Sequence, residues 1–326
     1  MIRRLLLAVS TFATAATLSL AGIASATTAP TPNPIQCGLK AGASLDVNAN
    51  KLCLQGKTAS NSGSGASNPG NPTPQPSGTP GFYAAMGDSV AAGAGLPLSP
   101  DASAGDIQCD RTPQAYPNVV AQTLGIPLVF VACTGATAGD IVTQQHVNGP
   151  NPSAQLGQAF ANGTPRLITI TAGANDVQWS NFLNTCLVSD CSTPAASAAA
   201  SAAMAILQAK LQFVFASIQA RSGGVPPRTV ITGYFSPFSG SCATRLPQIT
   251  SMEANQIQQQ VANLNQTIVR SMNGFTSFTR FAPVSFSGHD LCSTQPWVQG
   301  LTATAPLHPT AEGQAAIARS VISAAR

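Results

Sequence analysis

The sequence has 326 residues, of which 8% are charged, and a formal net charge of +4 at pH 7. Lysine and arginine are scattered along the chain rather than clustered, which argues against a nucleic-acid partner. With so few charges, the surface must be covered largely by Ser, Thr, Asn, Gln and Ala.

Residues 1–26 have the pattern of a secretory signal peptide. Arg3 and Arg4 precede an apolar stretch, and the segment ends in Ala-Ser-Ala before Thr27. An uncleaved membrane anchor is the alternative, but the apolar core is short and interrupted by Thr and Ser. No later segment is expected to have the length and apolarity of a membrane span. The sequence therefore predicts a secreted, extracellular protein.

Two segments without a substantial core follow the signal peptide. Residues 27–57 carry Cys37 and Cys53, and a unit this small would depend on a disulfide between them. We interpret it as a small N-terminal extension, with a surface-attachment or binding module as the alternative. Residues 58–80 are rich in Ser, Gly, Asn and Pro, which is typical of a flexible linker. The main domain is therefore expected over residues 81–326.

From residue 81 onward, short β-branched or aromatic runs alternate with longer segments of helical period. This alternation is typical of a parallel sheet wrapped by helices. We therefore expect an α/β fold, a three-layer sandwich with a five-stranded parallel sheet flanked by helices. The candidate strands are residues 82–86, 127–132, 167–171, 230–233 and 278–282.

Apolar residues at helical spacing predict the long helices and part of the core. The last helix is expected over residues 310–325, and Gly274 is well placed to end the helix before the fifth strand. One stripe, in an Ala-rich segment, consists of Leu207, Leu211, Phe215 and Ile218. A second consists of Ile257, Val261, Leu264, Ile268 and Met272.

Four polar or small residues lie in loops that follow predicted strands. Ser89 follows the first strand, Gly135 the second, Asn175 the third, and His308 lies in the loop after the fifth. In an open parallel sheet, ligands bind outside the carboxyl ends of the strands. We therefore expect these four residues to meet at one edge of the sheet.

The motifs around these residues are Gly-Asp-Ser at 87–89, Thr-Gly-Ala at 134–136, Gly-Ala-Asn-Asp at 173–176 and Leu-His-Pro at 307–309. Each is weak alone, but their order along the chain resembles the SGNH, or GDSL-type, esterases and lipases of the secreted actinobacterial branch. The resemblance implies the flavodoxin-like SGNH hydrolase fold. It also implies a monomeric carboxylic ester hydrolase that acts on lipid or short-chain acyl esters and needs no cofactor or metal.

The same resemblance assigns chemical roles to the four residues. Ser89 is the expected nucleophile, and His308 the base that takes its proton, because a free hydroxyl is a poor nucleophile near neutral pH. The expected oxyanion hole consists of the backbone N–H groups of Ser89 and Gly135 and the side-chain amide of Asn175. A glycine at position 135 would let the substrate oxygen approach the backbone closely.

The sequence departs from the family at one position. Many relatives have an aspartate three residues before the histidine, where this chain has Ala305. Our hypothesis is a Ser–His dyad, in which the carbonyl of Ala305, or of its neighbour Thr304 or Pro306, orients the imidazole. Asp290 is the rival acid.

Eight cysteines in an exported chain favour disulfides, and none of their spacings follows the paired C-x-x-C pattern of a zinc site. Spacing alone leaves 105 complete pairings open. The family resemblance implies Cys109 with Cys133, Cys186 with Cys191, and Cys242 with Cys292. Cys37 and Cys53 would then bridge each other.

Apolar side chains in the site loops suggest a neutral or apolar ester substrate. The apolar set suited to an acyl chain consists of Leu96, Leu98, Trp179, Phe182, Leu183 and Trp297. Leu96, Trp179, Phe182 and Trp297 are the candidate substrate-binding residues, although the whole set could instead merely pack beneath loops. Residues 179–191 are expected to form an insertion that walls the pocket. The other histidines, His146 and His289, are interpreted as structural or surface residues.

Two further functions stay open at this point. A carbohydrate O-deacetylase of the same fold would act on an acylated polysaccharide, with the N-terminal unit holding the polymer. A catalytically inactive surface-binding protein would have kept the fold and lost the chemistry, and Ala305 is the only feature that favours it.

Overall fold

The structure is a computed structural model, and it describes residues 81–146, 152–191, 193–239, 242, 245–246 and 248–326. The expected signal peptide, N-terminal extension, linker and Cys37–Cys53 pair lie outside the described residues.

The central sheet has five strands, and each neighbouring pair is parallel. The order across the sheet is β2-β1-β3-β4-β5. The prediction of a five-stranded parallel sheet is confirmed, and no strand end differs from the expected one by more than two residues. The strands are β1 Tyr83–Gly87, β2 Leu128–Phe130, β3 Leu167–Thr171, β4 Arg228–Thr232 and β5 Thr279–Ala282.

Helices connect these strands and cover both faces of the sheet. The long helices predicted from the apolar stripes are present, and both stripes are buried. The helices in the described residues are α1 Ser89–Ala92, α2 Ala104–Cys109, α3 Tyr116–Leu124, α4 Ala138–Val142, α5 Gln155–Ala159, α6 Trp179–Val188, α7 Pro194–Arg221, α8 Ser251–Ser271 and α9 Ala311–Ala325.

The layers follow from the contacts between these helices. On one face of the sheet α3 packs against α9, which also contacts β4 and β5, and on the other face α7 packs against α8. Every residue of β1 and β3 is buried, as expected for strands covered on both faces. The fold is therefore the expected three-layer α/β sandwich.

Helix α7 differs from expectation in its apolarity. Its segment Ala198–Arg221 is long and apolar enough to cross a membrane, whereas the sequence analysis expected no such segment after the signal peptide. The core helix of a soluble protein passes the same test, and the Leu207, Leu211 and Phe215 side chains are buried against the sheet. This helix is weak evidence for a membrane span.

The segment expected as an insertion after the third strand is mostly helical. It contains α6, and the disulfide between Cys186 and Cys191 ties the end of this helix to the chain leading into α7. The structure also contains the disulfides Cys109–Cys133 and Cys242–Cys292, which is the pairing that the family resemblance implies.

The turn after β1 depends on a glycine. Gly87 has a φ of +137°, and a Cβ at this position would lie 2.2 Å from the Thr171 carbonyl oxygen of β3. Buried Gln155 accepts the Gly87 N–H at 2.7 Å and donates to the Gly87 carbonyl at 2.9 Å. The next residue, Asp88, donates its N–H to Thr171 at 2.8 Å. The backbone of β1 therefore ends in one fixed position against β3.

Replacing Gly87 with alanine is expected to lower the free energy of unfolding by about 3 kcal/mol or more, because backbone strain and overpacking add. Gly125 is the matched control, since it also has a positive φ but open space around its Cβ position. Gly125→Ala is expected to cost about 1 kcal/mol. Chemical denaturation of both variants measures the difference, and equal losses would contradict the close approach of β1 to β3.

Candidate active site

Ser89 is the first residue of α1, directly after β1. The Asp88 side chain caps this short helix by accepting the Val90 N–H at 3.0 Å. Buried Gln314 of α9 donates to the Val90 carbonyl at 2.9 Å and so fixes α1 from the C-terminal part of the chain. Because amides in the first turn of a helix have no intrahelical acceptor, the Ser89 N–H is available to a ligand.

His308 lies in the loop between β5 and α9. The preceding residue, Leu307, has a φ of +64°, a left-handed conformation that costs a non-glycine residue about 1 kcal/mol. Gln299 supports this turn, because its backbone N–H donates to the His308 carbonyl at 2.8 Å. Its buried side-chain amide donates to the carbonyls of Ala94 and Pro309 at 2.8 and 2.9 Å. Gln299 therefore joins the histidine loop to the segment after α1.

The imidazole of His308 meets the hydroxyl of Ser89. The distance from Nε2 to the Ser89 Oγ is 2.8 Å, and Nδ1 lies 3.1 Å from the Pro306 carbonyl oxygen. The Ala305 carbonyl, one of the three expected acceptors of the ring N–H, accepts the backbone N–H of His308 at 3.3 Å. Burial lowers the pKa of His308 below its ordinary value, and the Pro306 and Ala305 carbonyls partly oppose this effect. The arrangement can move a proton from Ser89 to Nε2.

Asn175, in the loop after β3, lines the same cleft as Ser89 and His308. Gly135 lies in the loop after β2, next to Ala136, whose carbonyl accepts the Asn175 amide. Gly135 has a φ of +86°, and no atom lies within 4 Å of its Cβ position. Among the described residues, none accepts its backbone N–H. The Asn175 Nδ2 donates one hydrogen to the Ala136 carbonyl at 2.8 Å, which orients the amide and leaves its second hydrogen. Together with the Ser89 N–H, these groups can donate to an oxyanion.

A buried hydroxyl connects two of the loops. Tyr234, which follows β4, donates its hydroxyl to the Asp88 carboxylate at 2.5 Å and accepts the Ala174 N–H at 3.2 Å. Burial raises the pKa of Asp88 to about 7, and the hydrogen bond from Tyr234 opposes this rise. Burial, followed by the charge of Asp88, raises the pKa of Tyr234, so its hydroxyl stays protonated. Tyr234 therefore ties the loop of Ser89 to the loop of Asn175.

Neither Asp88 nor Tyr234 was identified from the sequence as part of the site. Asp88 was visible within the Gly-Asp-Ser motif, where an Asx turn is its ordinary role. No sequence motif marks Tyr234 as a site residue, because its position near Asp88 depends on β4 lying beside β3 in the sheet.

A small cleft, of about 60 Å³, opens beside Ser89 and His308. The expected substrate-binding residue Trp179 lines it. Other apolar lining residues, outside the four candidates, come from α6, from the segment after β4 and from the histidine loop. They are Leu183, Phe235, Pro237, Pro306 and Leu307.

The structure places the other three candidate substrate-binding residues elsewhere. Phe182 lines a second cavity on the other side of α6. Trp297 stacks on His289, with ring centroids 3.7 Å apart, and packs edge-on against Phe286. Leu96 is partly exposed in the turn after α1.

The rival acid and the other two histidines do not contact the His308 ring. The Asp290 carboxylate accepts the Cys292 N–H at 2.8 Å. The His146 ring lies 3.2 Å from the Asp140 carboxylate, and the His289 ring bonds to the Gln295 carbonyl.

One cluster in the described residues has metal-ligating atoms close together, namely Cys242, Asp290 and Cys292. Its two sulfur atoms are joined in a disulfide, so they offer no thiolate to a metal ion.

At the carboxyl edge of the parallel sheet, a serine hydroxyl is hydrogen-bonded to an imidazole, and N–H donors are available nearby. This combination is typical of a serine hydrolase. The model of the GDSL-like Lipase/Acylhydrolase family matches residues 85–316. The chain belongs to this family and is a serine ester hydrolase.

Known lipases from Streptomyces resemble the chain over most of its length. It is 31% identical to "Lipase" of Streptomyces rimosus over 241 residues, which is 71% of this chain and 82% of the relative. It is also 31% identical to "Lipase 1" of Streptomyces coelicolor over 243 residues, with the same coverage.

Two solved structures share the fold. The extracellular lipase from Streptomyces rimosus superposes with a TM-score of 0.60 at 26% identity, over 75% of this chain and 99% of the lipase. Phospholipase A1 from Streptomyces albidoflavus superposes with a TM-score of 0.56 at 25% identity, over 76% of this chain and 100% of the phospholipase.

Replacing Tyr234 with phenylalanine removes the tie between the two loops. Above pH 7, where Asp88 is ionised, the free energy of unfolding is expected to fall by about 2 kcal/mol, because a buried carboxylate loses a donor. Tyr83→Phe is the matched control, since this buried hydroxyl bonds to Thr169, away from the cleft. Amide hydrogen exchange measures the effect on the loops: the Ala174 amide is expected to exchange faster in Tyr234→Phe but not in Tyr83→Phe. Unchanged exchange in Tyr234→Phe would show that the Tyr234 hydroxyl does not hold the two loops together.

Proposed function

We propose that this protein is a secreted carboxylic ester hydrolase that cleaves lipid or short-chain acyl esters with a Ser89–His308 dyad. The observation that carries the proposal is the 2.8 Å contact between the Ser89 Oγ and the His308 Nε2. Its membership in a lipase and acylhydrolase family supports the substrate class.

The proposed reaction has two steps at one centre. Ser89 Oγ attacks the ester carbonyl carbon while its proton passes to Nε2 of His308. The carbonyl oxygen becomes negative and accepts hydrogen bonds from Ser89, Gly135 and Asn175, each donor contributing roughly 3 kcal/mol. His308 then gives its proton to the leaving alcohol oxygen as the carbon–oxygen bond breaks. Water then attacks the acyl carbon while its proton passes to Nε2 of His308, and His308 returns this proton to Ser89 Oγ as the carbon–oxygen bond breaks and the acid leaves.

In this proposal the Pro306 carbonyl does the work that a carboxylate does in a triad. Its contact with Nδ1 keeps the hydrogen on that nitrogen and leaves the Nε2 lone pair directed at Ser89. A neutral carbonyl stabilises the imidazolium less than a carboxylate would. The left-handed turn at Leu307 supports the assignment, because it brings the ring over the carbonyl of its own loop.

Secretion is supported by two independent features. The three disulfides in the described residues are typical of an oxidising environment outside the cytoplasm. One structural relative is the extracellular lipase from Streptomyces rimosus. Both features agree with the signal-peptide pattern of residues 1–26.

Ser89→Ala and His308→Ala are each expected to lower kcat for hydrolysis of p-nitrophenyl butanoate by on the order of 10⁴-fold or more. His146→Ala is the matched control, because this exposed histidine bonds to Asp140 and is expected to leave kcat unchanged. Asp290→Asn should also retain activity to within about threefold. Loss of activity in Asp290→Asn as large as in His308→Ala would make Asp290 the third member of a triad.

The pH dependence of kcat/KM tests the base. His308 must be neutral to accept the proton, and its pKa is lowered by burial, so the acid limb is expected to have its midpoint below 6.5. Any inflection near pH 7 should belong to Asp88, and it should disappear in Asp88→Asn while the lower limb remains. A single limb with a midpoint near 8 would contradict a histidine that lacks a carboxylate partner.

A further inference from the structure

A second cavity, of about 300 Å³, lies between α6 and α7, whereas the catalytic cleft holds about 60 Å³. The residues of α6 divide between the two spaces, since Ser180 and Leu183 line the cleft, and Asn181 and Phe182 line the second cavity. Trp179, the first residue of the helix, lines both. Trp179 therefore belongs to the walls of both spaces.

Small side chains on α7 make this cavity. Ala199, Ala200 and Ala203 lie on two successive turns of the helix and face the Phe182 ring across the space. Met204 contributes an adaptable apolar surface at the same wall. A larger side chain at any of the three alanines would occupy the volume that the cavity now offers.

The carboxylate and the hydroxyl that line the cavity are already paired. Asp176, the charged residue among those lining it, accepts Lys210 at 2.7 Å and the Ala138 N–H at 2.8 Å, and its side chain is 1% exposed. The Thr185 hydroxyl donates to the Asn181 carbonyl at 2.9 Å. The cavity therefore offers an apolar surface without an unpaired charge.

We propose that this cavity, reached past Trp179, is the subsite for the acyl chain of the ester, an inference that rests on the proposed function. The cleft itself is too small for more than the ester group and a few carbons. The cavity is about five times as large as the cleft, so it has room for several carbons that the cleft cannot hold. The substrate class is therefore an ester of a medium-length fatty acid.

The test compares p-nitrophenyl octanoate with p-nitrophenyl acetate in variants of α7. Ala203→Phe fills the cavity, whereas Ala209→Phe adds the same ring at an exposed position of the same helix. Each excluded methylene costs about fourfold, so Ala203→Phe is expected to lower the octanoate-to-acetate ratio of kcat/KM by roughly tenfold or more. Ala209→Phe should keep the wild-type ratio. An unchanged ratio in Ala203→Phe would overturn the subsite.

Thermal unfolding identifies a variant that fails to fold. If Ala203→Phe fails to fold, the smaller change Ala200→Leu replaces it. A lower octanoate-to-acetate ratio of kcat/KM in Ala200→Leu would then support the subsite, and an unchanged ratio would overturn it. The proposed function fails separately, if the wild-type protein hydrolyses neither ester.

Binding can be measured without turnover in a Ser89→Ala, Trp297→Phe background, where Trp179 is the sole remaining tryptophan. The methyl ester of a terminally brominated decanoate is expected to quench its fluorescence. Adding Ala203→Phe should weaken this binding at least tenfold, whereas Ala209→Phe should not. Equal affinity in both would place the chain outside the cavity.

Discussion

The hydrogen bond between Ser89 and His308 joins two residues separated by 219 positions. Neither residue lies in a long element that could bring it there alone. Ser89 is held at the end of β1, and His308 in a loop pinned by Gln299 to the segment that follows α1. The contact therefore exists only when the whole sheet, from β1 to the helix after β5, has formed. The distance between Ser89 and His308 therefore depends on the native fold as a whole.

Neutral amides hold much of this geometry, in a chain with few charges. Gln155 fixes Gly87, Gln314 fixes α1, and Gln299 fixes the histidine loop, each through bonds to backbone groups. An amide can donate and accept at once and has no ionisation between pH 4 and 10. These three amide supports therefore do not change with pH. The groups that hold the site in place are thus different from the group that is proposed to transfer the proton, which is His308.

Much of the architecture could be predicted from the sequence, because strand and helix periods are local properties. The edge at which Ser89 and His308 meet followed from the positions of the predicted strands and their parallel direction. Side-chain destinations were less predictable. Trp297 lies against His289 rather than in the cleft, since its direction is set by packing after β5. The carbonyl bonded to Nδ1 belongs to Pro306, because the left-handed conformation of Leu307 turns the loop. Periodicity does not encode one residue's backbone angle.

The Ala-rich beginning of α7 is another case in which the sequence predicts the helix but not where its side chains lie. In the sequence, alanines at helical positions indicate only high helix propensity. In the fold, three of them face the side of α6 that the catalytic cleft does not use, and the room they leave equals several methylene groups. The opposite side of α6 supplies Leu183 to the cleft. One helix of ten residues thus separates two spaces of unequal size. In the proposed acyl subsite, the volume left free by small side chains, rather than any added functional group, sets the length of acyl chain that fits.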